Sequence, residues 1–134
     1  EYFHMNGSID GGSNYNVTKT SNSFAAYNYE NNSARGVVYV AGLDLAQGTG
    51  YQPLTSSIGN GADESAAGTL WLFNPSGTTY VKHFYSTFNH YSDSNVSYNV
   101  FIGGYFNTTD NIDAMDFKFG SGNFDGTIKM YGVG

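Results

Sequence analysis

The run Asn111-Ile-Asp113-Ala-Met-Asp116 holds two carboxylates close enough in sequence to be weighed as a catalytic pair. Glycoside hydrolysis needs two carboxyl groups flanking the scissile bond, one as acid and one as nucleophile or base. The run reads as a strand, so Asp113 and Asp116 project to opposite faces and cannot share one bond. His4, His83 and His90 are the bases available for nucleophilic chemistry. His83 and His90 are seven apart on one extended segment, which also sends them to opposite faces. None has His-x-His or His-Glu-x-x-His spacing, and no Gly-x-Ser-x-Gly elbow accompanies them. Hard oxygen ligands suited to calcium occur at Asp10, Asp63-Glu64, Asp93 and Asp110-Asn111-Asp113. They lack EF-hand spacing, and Asp in turns has its own local reason to be there. The expectation is therefore no cofactor, with calcium the one cation these loops could take.

Recognition is the other chemistry these residue types support. Flat Tyr rings and amide groups give contact area and hydrogen bonds at low entropic cost. Tyr27, Tyr29, Tyr51, Gln52, Tyr91 and Tyr105 are the candidates, although each could equally fill a core that has no Cys. Sequons beginning at Asn6, Asn16, Asn31, Asn95 and Asn107 read as turn composition.

The scaffold for such groups is all-β. Aromatics reach 17%, with twelve Tyr and ten Phe, while charged residues are only 12%. Tyr, Phe, Thr and Val favour strands, and Gly and Asn supply turns. A net charge of −6, with Lys19, Arg35, Lys82, Lys118 and Lys129 scattered singly, argues against a nucleic-acid partner. No apolar stretch approaches a membrane span, so no membrane insertion is expected. The 134 residues predict a single domain over 1–134.

Strand signals run along the chain at 1–6, 15–20, 24–29 and 36–41. Gly68-Thr-Leu-Trp-Leu-Phe-Asn74 predicts a central strand, with Leu70 and Leu72 on one face, Trp71 and Phe73 on the other, and both faces buried. Strands follow over 79–89, which could be bulged, and 96–106, with Gly103-Gly104 a bulge or bend. The chain closes on a predicted hairpin, Met115 to Phe119 and Gly126 to Tyr131, around Gly120-Ser-Gly-Asn123. Short strands with turn signals every 8–12 residues predict a jelly-roll-like, two-sheet antiparallel sandwich. Residues 42–67 are the longest stretch without period-two pattern. As a loop on a rigid scaffold they are the predicted variable element, with Tyr51, Gln52, Asp63 and Glu64 as candidate binding residues.

Three motifs stand in order: Ser8-Ile-Asp10-Gly11-Gly12-Ser13-Asn-Tyr15, Gly68-Thr-Leu-Trp-Leu-Phe-Asn74-Pro75-Ser76, and Ser121-Gly122-Asn123-Phe-Asp-Gly126-Thr127-Ile-Lys-Met-Tyr131-Gly132. Together they resemble a β-sandwich domain found at the C-termini of tailed-bacteriophage structural proteins. The resemblance covers most of the chain, and its closing motif is one residue shorter here. Asp10-Gly-Gly is expected to make a tight hairpin turn, and Asn74-Pro75 to end a strand. The family carries one more strand ahead of its first motif, so the natural protein is expected to begin further upstream.

The resemblance implies a virion structural role without catalysis, exposed on the particle surface as tail fibre, tail protein or capsid decoration. The implied partners are other copies of the chain and other virion proteins, with host-surface glycan as a secondary ligand; no binding residues carry over. A free carbohydrate-binding module is the first alternative, and it should show an exposed row of aromatics on one sheet face or a calcium-bound loop. A jelly-roll glycan hydrolase is the second. The concanavalin-like glucanases carry Glu-x-Asp-x-x-Glu, where this chain has Asn111 and Asp116 at the outer positions, so one carboxylate of the pair is missing.

Overall fold

The computed structural model describes residues 1–134 and holds eight strands with no helix. They are β1 (Phe3–Ser8), β2 (Lys19–Tyr29), β3 (Arg35–Tyr39), β4 (Gln52–Pro53), β5 (Ala66–Leu72), β6 (Lys82–Ser92), β7 (Val96–Phe106) and β8 (Ala114–Phe119). All pairings are antiparallel, in a three-stranded sheet ordered β4-β1-β8 and a five-stranded sheet ordered β3-β2-β7-β6-β5. This is the all-β two-sheet sandwich that the composition and turn spacing predict.

Local chemistry explains the turns. Asn95 closes the β6–β7 hairpin at φ 55°, and Asn32 sits at φ 57° between β2 and β3. Asn tolerates this left-handed region better than other residues with a Cβ. Between the sheets lie Met5 from β1, Ala25 from β2, Phe84 from β6 and Val100, Ile102 and Phe106 from β7. Val17, Leu43, Leu54 and Ile112 from the connections complete this core. The irregular 42–67 stretch is thus anchored to the core by Leu43 and Leu54.

The inward row of β2 is not apolar. It runs Lys19, Ser21, Ser23 and Ala25, all buried. The Lys19 ammonium donates to Asn6 Oδ1 at 2.6 Å and to the Val17 carbonyl at 2.7 Å, with the Phe106 ring 5.4 Å away. Lys82, opposite Phe106 on the other side, donates to the carbonyls of Tyr80 and Thr108. Burial without a carboxylate partner pushes the Lys19 ammonium down to about 8.

The structure corrects several expectations. The segments at 15–20 and 24–29 are not two strands: a single strand, β2, begins at Lys19 and runs unbroken through the whole of the second. β6 starts at Lys82, so Tyr80 lies outside it and is exposed, and the strand holds a continuous register without a bulge. Gly103 and Gly104 also pair in register with Tyr85 and Phe84, so no bulge forms there either. Gly104 answers to a close approach instead: a Cβ would stand 2.6 Å from the Thr20 carbonyl oxygen. Asp10-Gly-Gly is not a hairpin turn, because β1 and β2 belong to different sheets. It is a crossing held by side chains, with Ser8 Oγ donating to Asp10 Oδ1 and the Gly11 amide donating to Asp113.

β5 is an edge strand, not a central one, and its outward face has no covering layer. Leu70 and Leu72 pack toward the core, but Trp71 is 43% exposed and Phe73 45%. The closing hairpin is also absent. Residues 120–134 form no strand and are exposed. Ser121 is held by the Glu1 carboxylate through its amide and hydroxyl, and Phe124 packs edge-on against Phe3 at 5.4 Å. These contacts carry the chain toward β1 rather than back along β8.

Candidate functional site

The four residues proposed from the irregular stretch do not converge. Gln52 is fully buried; its Nε2 donates to the carbonyls of Leu43 and Pro53, and its Oε1 accepts from Ser21. Its amide is consumed in holding the connection onto the core. Tyr51 donates to Asp116 at 2.8 Å and lies under the Lys118 ammonium, 3.8 Å from the ring centre. Partial burial, and then the Asp116 carboxylate, push the Tyr51 phenol up to about 12. Asp63 is exposed, and Glu64 accepts from the Gly61 amide within its own turn.

The carboxylates are spread in the same way. Asp113 precedes β8 and receives the Gly11 amide, while Asp116 lies in β8 and receives Tyr51. Asn14, and then Ser8, hold the Asp10 carboxyl down to about 2 through hydrogen bonds. No three His, Asp or Glu side chains come together as a metal site. His83 and His90 do lie on opposite faces of β6, His83 exposed and His90 buried. His90 Nε2 and Ser56 Oγ are 2.8 Å apart, a spacing suited to a nucleophile and its base. His90 Nδ1, however, has no partner to orient the ring, and burial drives the imidazole down to about 4. A ring that resists protonation to that degree is a weak base at neutral pH, so the pair reads as core packing.

The arrangement with recognisable chemistry is the outer face of the five-stranded sheet. Side chains alternate across a strand, so positions paired in register share a face. One row crosses the sheet as Tyr39, Phe24, Phe101, Thr87 and Thr69. The next runs Asn22, Gly103, Tyr85 and Trp71, and a third holds Thr20, Tyr105 and His83, whose carbonyl accepts from the Phe73 amide. Phe24 and Phe101 are stacked at 4.7 Å and 11°. Trp71 and Tyr85 are stacked at 6.2 Å and 27°, and Phe73 lies 5.6 Å from Tyr85.

Gly103 stands between the two stacks. A Cβ placed there would meet only Asn22 Oδ1, at 3.9 Å. The missing side chain therefore leaves a dip walled by Phe101, Tyr105 and Tyr85, with an amide at its rim. Beyond Phe73 and His83 the face runs into an open cleft of about 670 Å³ that is also lined by Asn74, Thr79, Tyr80 and Val81. The outward positions of β2, β5, β6 and β7 hold Asn, Ser, Thr, Ala, Gly, His and aromatic residues and no carboxylate. A chain of net charge −6 thus presents an aromatic face whose charges are confined to the β3 edge, where Arg35 shares the outward side and Tyr39 donates to Asp44. Such a face can stack on the C–H surface of a neutral ring and hydrogen-bond to its hydroxyls.

The signal for this face was present as alternation. Trp71 and Phe73 share a side opposite Leu70 and Leu72, and Tyr85 and Phe101 alternate with inward Phe84 and Val100. What a single chain does not announce is which side remains uncovered. Of the tyrosines proposed from sequence, Tyr105 belongs to the face, and Tyr91, paired with Ser97, lies on the same side at the hairpin end, where it donates to Asn95. Tyr27 packs instead with Tyr29 and Tyr98.

Comparison with protein-family models, curated proteins and solved structures finds no match.

Proposed function

We propose that this chain is a non-catalytic surface domain of a tailed-bacteriophage particle, on a tail fibre, the tail or the capsid exterior. In this reading it self-associates, docks on other virion proteins, and uses the outer aromatic face to recognise neutral glycan on the host surface. The virion assignment is supported by the three ordered motifs that resemble the phage domain. Recognition is supported by one observation above all: stacked, exposed and uncharged aromatic pairs on either side of the Gly103 dip. Rings fixed on strands lose little entropy when a ligand stacks on them, which favours binding. Neutral sugar rings match the absence of carboxylates around the Gly103 dip, whereas an anionic polymer would meet a chain of the same sign.

The same face favours a second reading, a free carbohydrate-binding module, because an exposed aromatic row is one of the two features expected of that class. Two measurements separate these readings. Neutral glycans on an array should retain the chain, and Trp71→Ala with Phe101→Ala should abolish retention. Gold-labelled antibody against the chain should decorate intact particles in micrographs. Retention without decoration leaves the free module. Decoration without retention leaves a structural domain with no glycan role, and the loss of both overturns the proposal.

A further inference from the structure

The segment from Gly126 to Gly132 has the chemistry of a strand and no sheet. Its backbone makes no main-chain hydrogen bond, and Ile128, Met130, Tyr131 and Val133 are all exposed, Met130 at 82%. Thr127, Lys129 and Tyr131 alternate with Ile128 and Met130. On the other side of the molecule's small sheet, β8 pairs only with β1, so its second edge carries unpaired N–H and C=O groups. Such an edge is a template for another strand.

The edge and the segment match in register. Met115 and Phe117 pack toward the core, while Asp116 and Lys118 face outward with Tyr51. Laying the segment antiparallel with Lys129 opposite Asp116 puts Met130 opposite Met115 and Ile128 opposite Phe117. Thr127 then faces Lys118. Apolar meets apolar on the inner side, and an ammonium meets a carboxylate on the outer side. Slipping by one residue would turn Ile128 and Met130 to solvent and lose both matches.

A chain's own segment is led away from that edge. Phe124 seats against Phe3 and Phe119, and Ser121 is bound by Glu1, so the residues just ahead of the segment are tied to the start of β1. The free edge is on the other side of β8. We infer that Gly126–Gly132 of one copy adds to the β8 edge of a second copy, with Lys129 against the partner copy's Asp116. Each copy gives one strand and accepts one, which buries the exposed alternation and closes an open edge at once. This deepens the self-association in the proposed function, yet its test uses neither particles nor glycan, so either idea can fail alone.

The chain has no Cys, which makes cross-linking clean. Directly opposed residues in antiparallel strands have Cα atoms about 4.5–5.5 Å apart, within disulfide reach. Lys118→Cys and Thr127→Cys proteins, mixed and oxidised, should form a covalent dimer between the two variants. Lys118→Cys mixed with Ser94→Cys should not. Light scattering should give more than one copy for the whole chain, and a monomer for a chain ending at Asp125, which keeps the Phe124 anchor. Two results overturn the inference. One is a Lys118→Cys/Thr127→Cys double variant that closes within a single chain while the mixed singles stay unlinked. The other is a whole chain that remains monomeric at the highest concentration reached.

Discussion

Phe24 on β2 and Phe101 on β7 lie face to face on the solvent side of the sheet, 4.7 Å apart and 11° from parallel. Aromatic pairs of this kind are worth about 0.5–1.5 kcal/mol beyond the area they bury. Here the gain is spent where no core exists to be filled. The stacking fixes the orientation of both rings before any ligand arrives, as it does for the Trp71–Tyr85 pair across the Gly103 dip. A sandwich needs only its inner faces to be apolar. An outer face this aromatic is a cost to solubility unless something covers it or binds to it.

Trp71 is expected to behave as a surface residue. It is the only Trp, so emission reports it alone. With 43% exposure, its native spectrum should be red-shifted and quenched by acrylamide. Trp71→Ala should cost about 1 kcal/mol in urea unfolding, well short of the ~3–5 kcal/mol of a buried aromatic. A blue-shifted, unquenched emission would place the indole under another layer and remove it from the binding face.

How much was legible in advance divides along the same line. Alternation at Val96–Phe106 predicted β7 to the residue, because β-branched and aromatic residues repeat with period two between Asn-rich turns. The same alternation marked two sides of β5 but not which one stays bare, since coverage is decided by how many layers the chain can supply. The inward polar row of β2 was hidden for the opposite reason. Lys19, Ser21 and Ser23 look solvent-facing, yet they are buried because partners distant in sequence, such as Asn6, Gln52 and Val40, satisfy them. Pattern rules weigh a residue's own polarity and cannot see such partners. Within the candidate site Gln52 is the same case: it looks like an exposed loop amide and is a core hydrogen-bonding hub.

Lys19 should make stability climb on the alkaline side of neutrality. Its ammonium releases its proton near 8 when folded, against roughly 10.4 when unfolded. Between these values the unfolded chain holds more protons, so unfolding free energy rises with pH. The rise is at most roughly 3 kcal/mol for one group shifted that far. Above pH 10 the Tyr51 phenol, pushed up to about 12 when folded, acts in the opposite direction. Lys19→Met should flatten the profile between pH 8 and 10 and leave stability at pH 7 within about 1 kcal/mol, since buried charges are often replaceable by apolar side chains. Urea titrations across that range decide it; an unchanged slope in the variant sinks the assignment.

His90 should set the acid limit. Burial holds its imidazole down to about 4, against roughly 6.5 in the unfolded chain. As pH falls from 6.5 toward 4, protons bind the unfolded chain first and stability is lost, by up to roughly 3 kcal/mol. His4, also lowered by burial, adds to the loss in the same direction. His90→Gln keeps a hydrogen-bonding side chain toward Ser56 and removes the titration. Its unfolding free energy should fall less between pH 7 and pH 4.5 than that of the parent chain. An equal fall in both would assign the acid limb elsewhere.

Gly103 and Gly104 are neighbours with opposite expected responses to alanine. At Gly104 a new Cβ would meet the Thr20 carbonyl oxygen at 2.6 Å, Ser21 Cβ at 2.8 Å and the Phe84 ring at 2.9 Å. Backbone, a paired strand and a buried ring cannot all retreat, so Gly104→Ala should destabilise by about 1–3 kcal/mol. At Gly103 the added methyl meets only Asn22 Oδ1 at 3.9 Å, and the backbone is already extended. Alanine suits a strand at least as well as glycine, so Gly103→Ala should fold with unchanged or slightly higher stability. Its effect should fall on the face instead. The methyl fills the dip between Phe101 and Tyr85, and neutral glycan retention should drop several-fold while the melting temperature holds. Leucine at the same position, projecting further into solvent, should remove retention altogether. If both Gly103 variants bind as the parent does, the dip is not where the ligand sits, and recognition has to be sought at the Phe73–Tyr80 cleft.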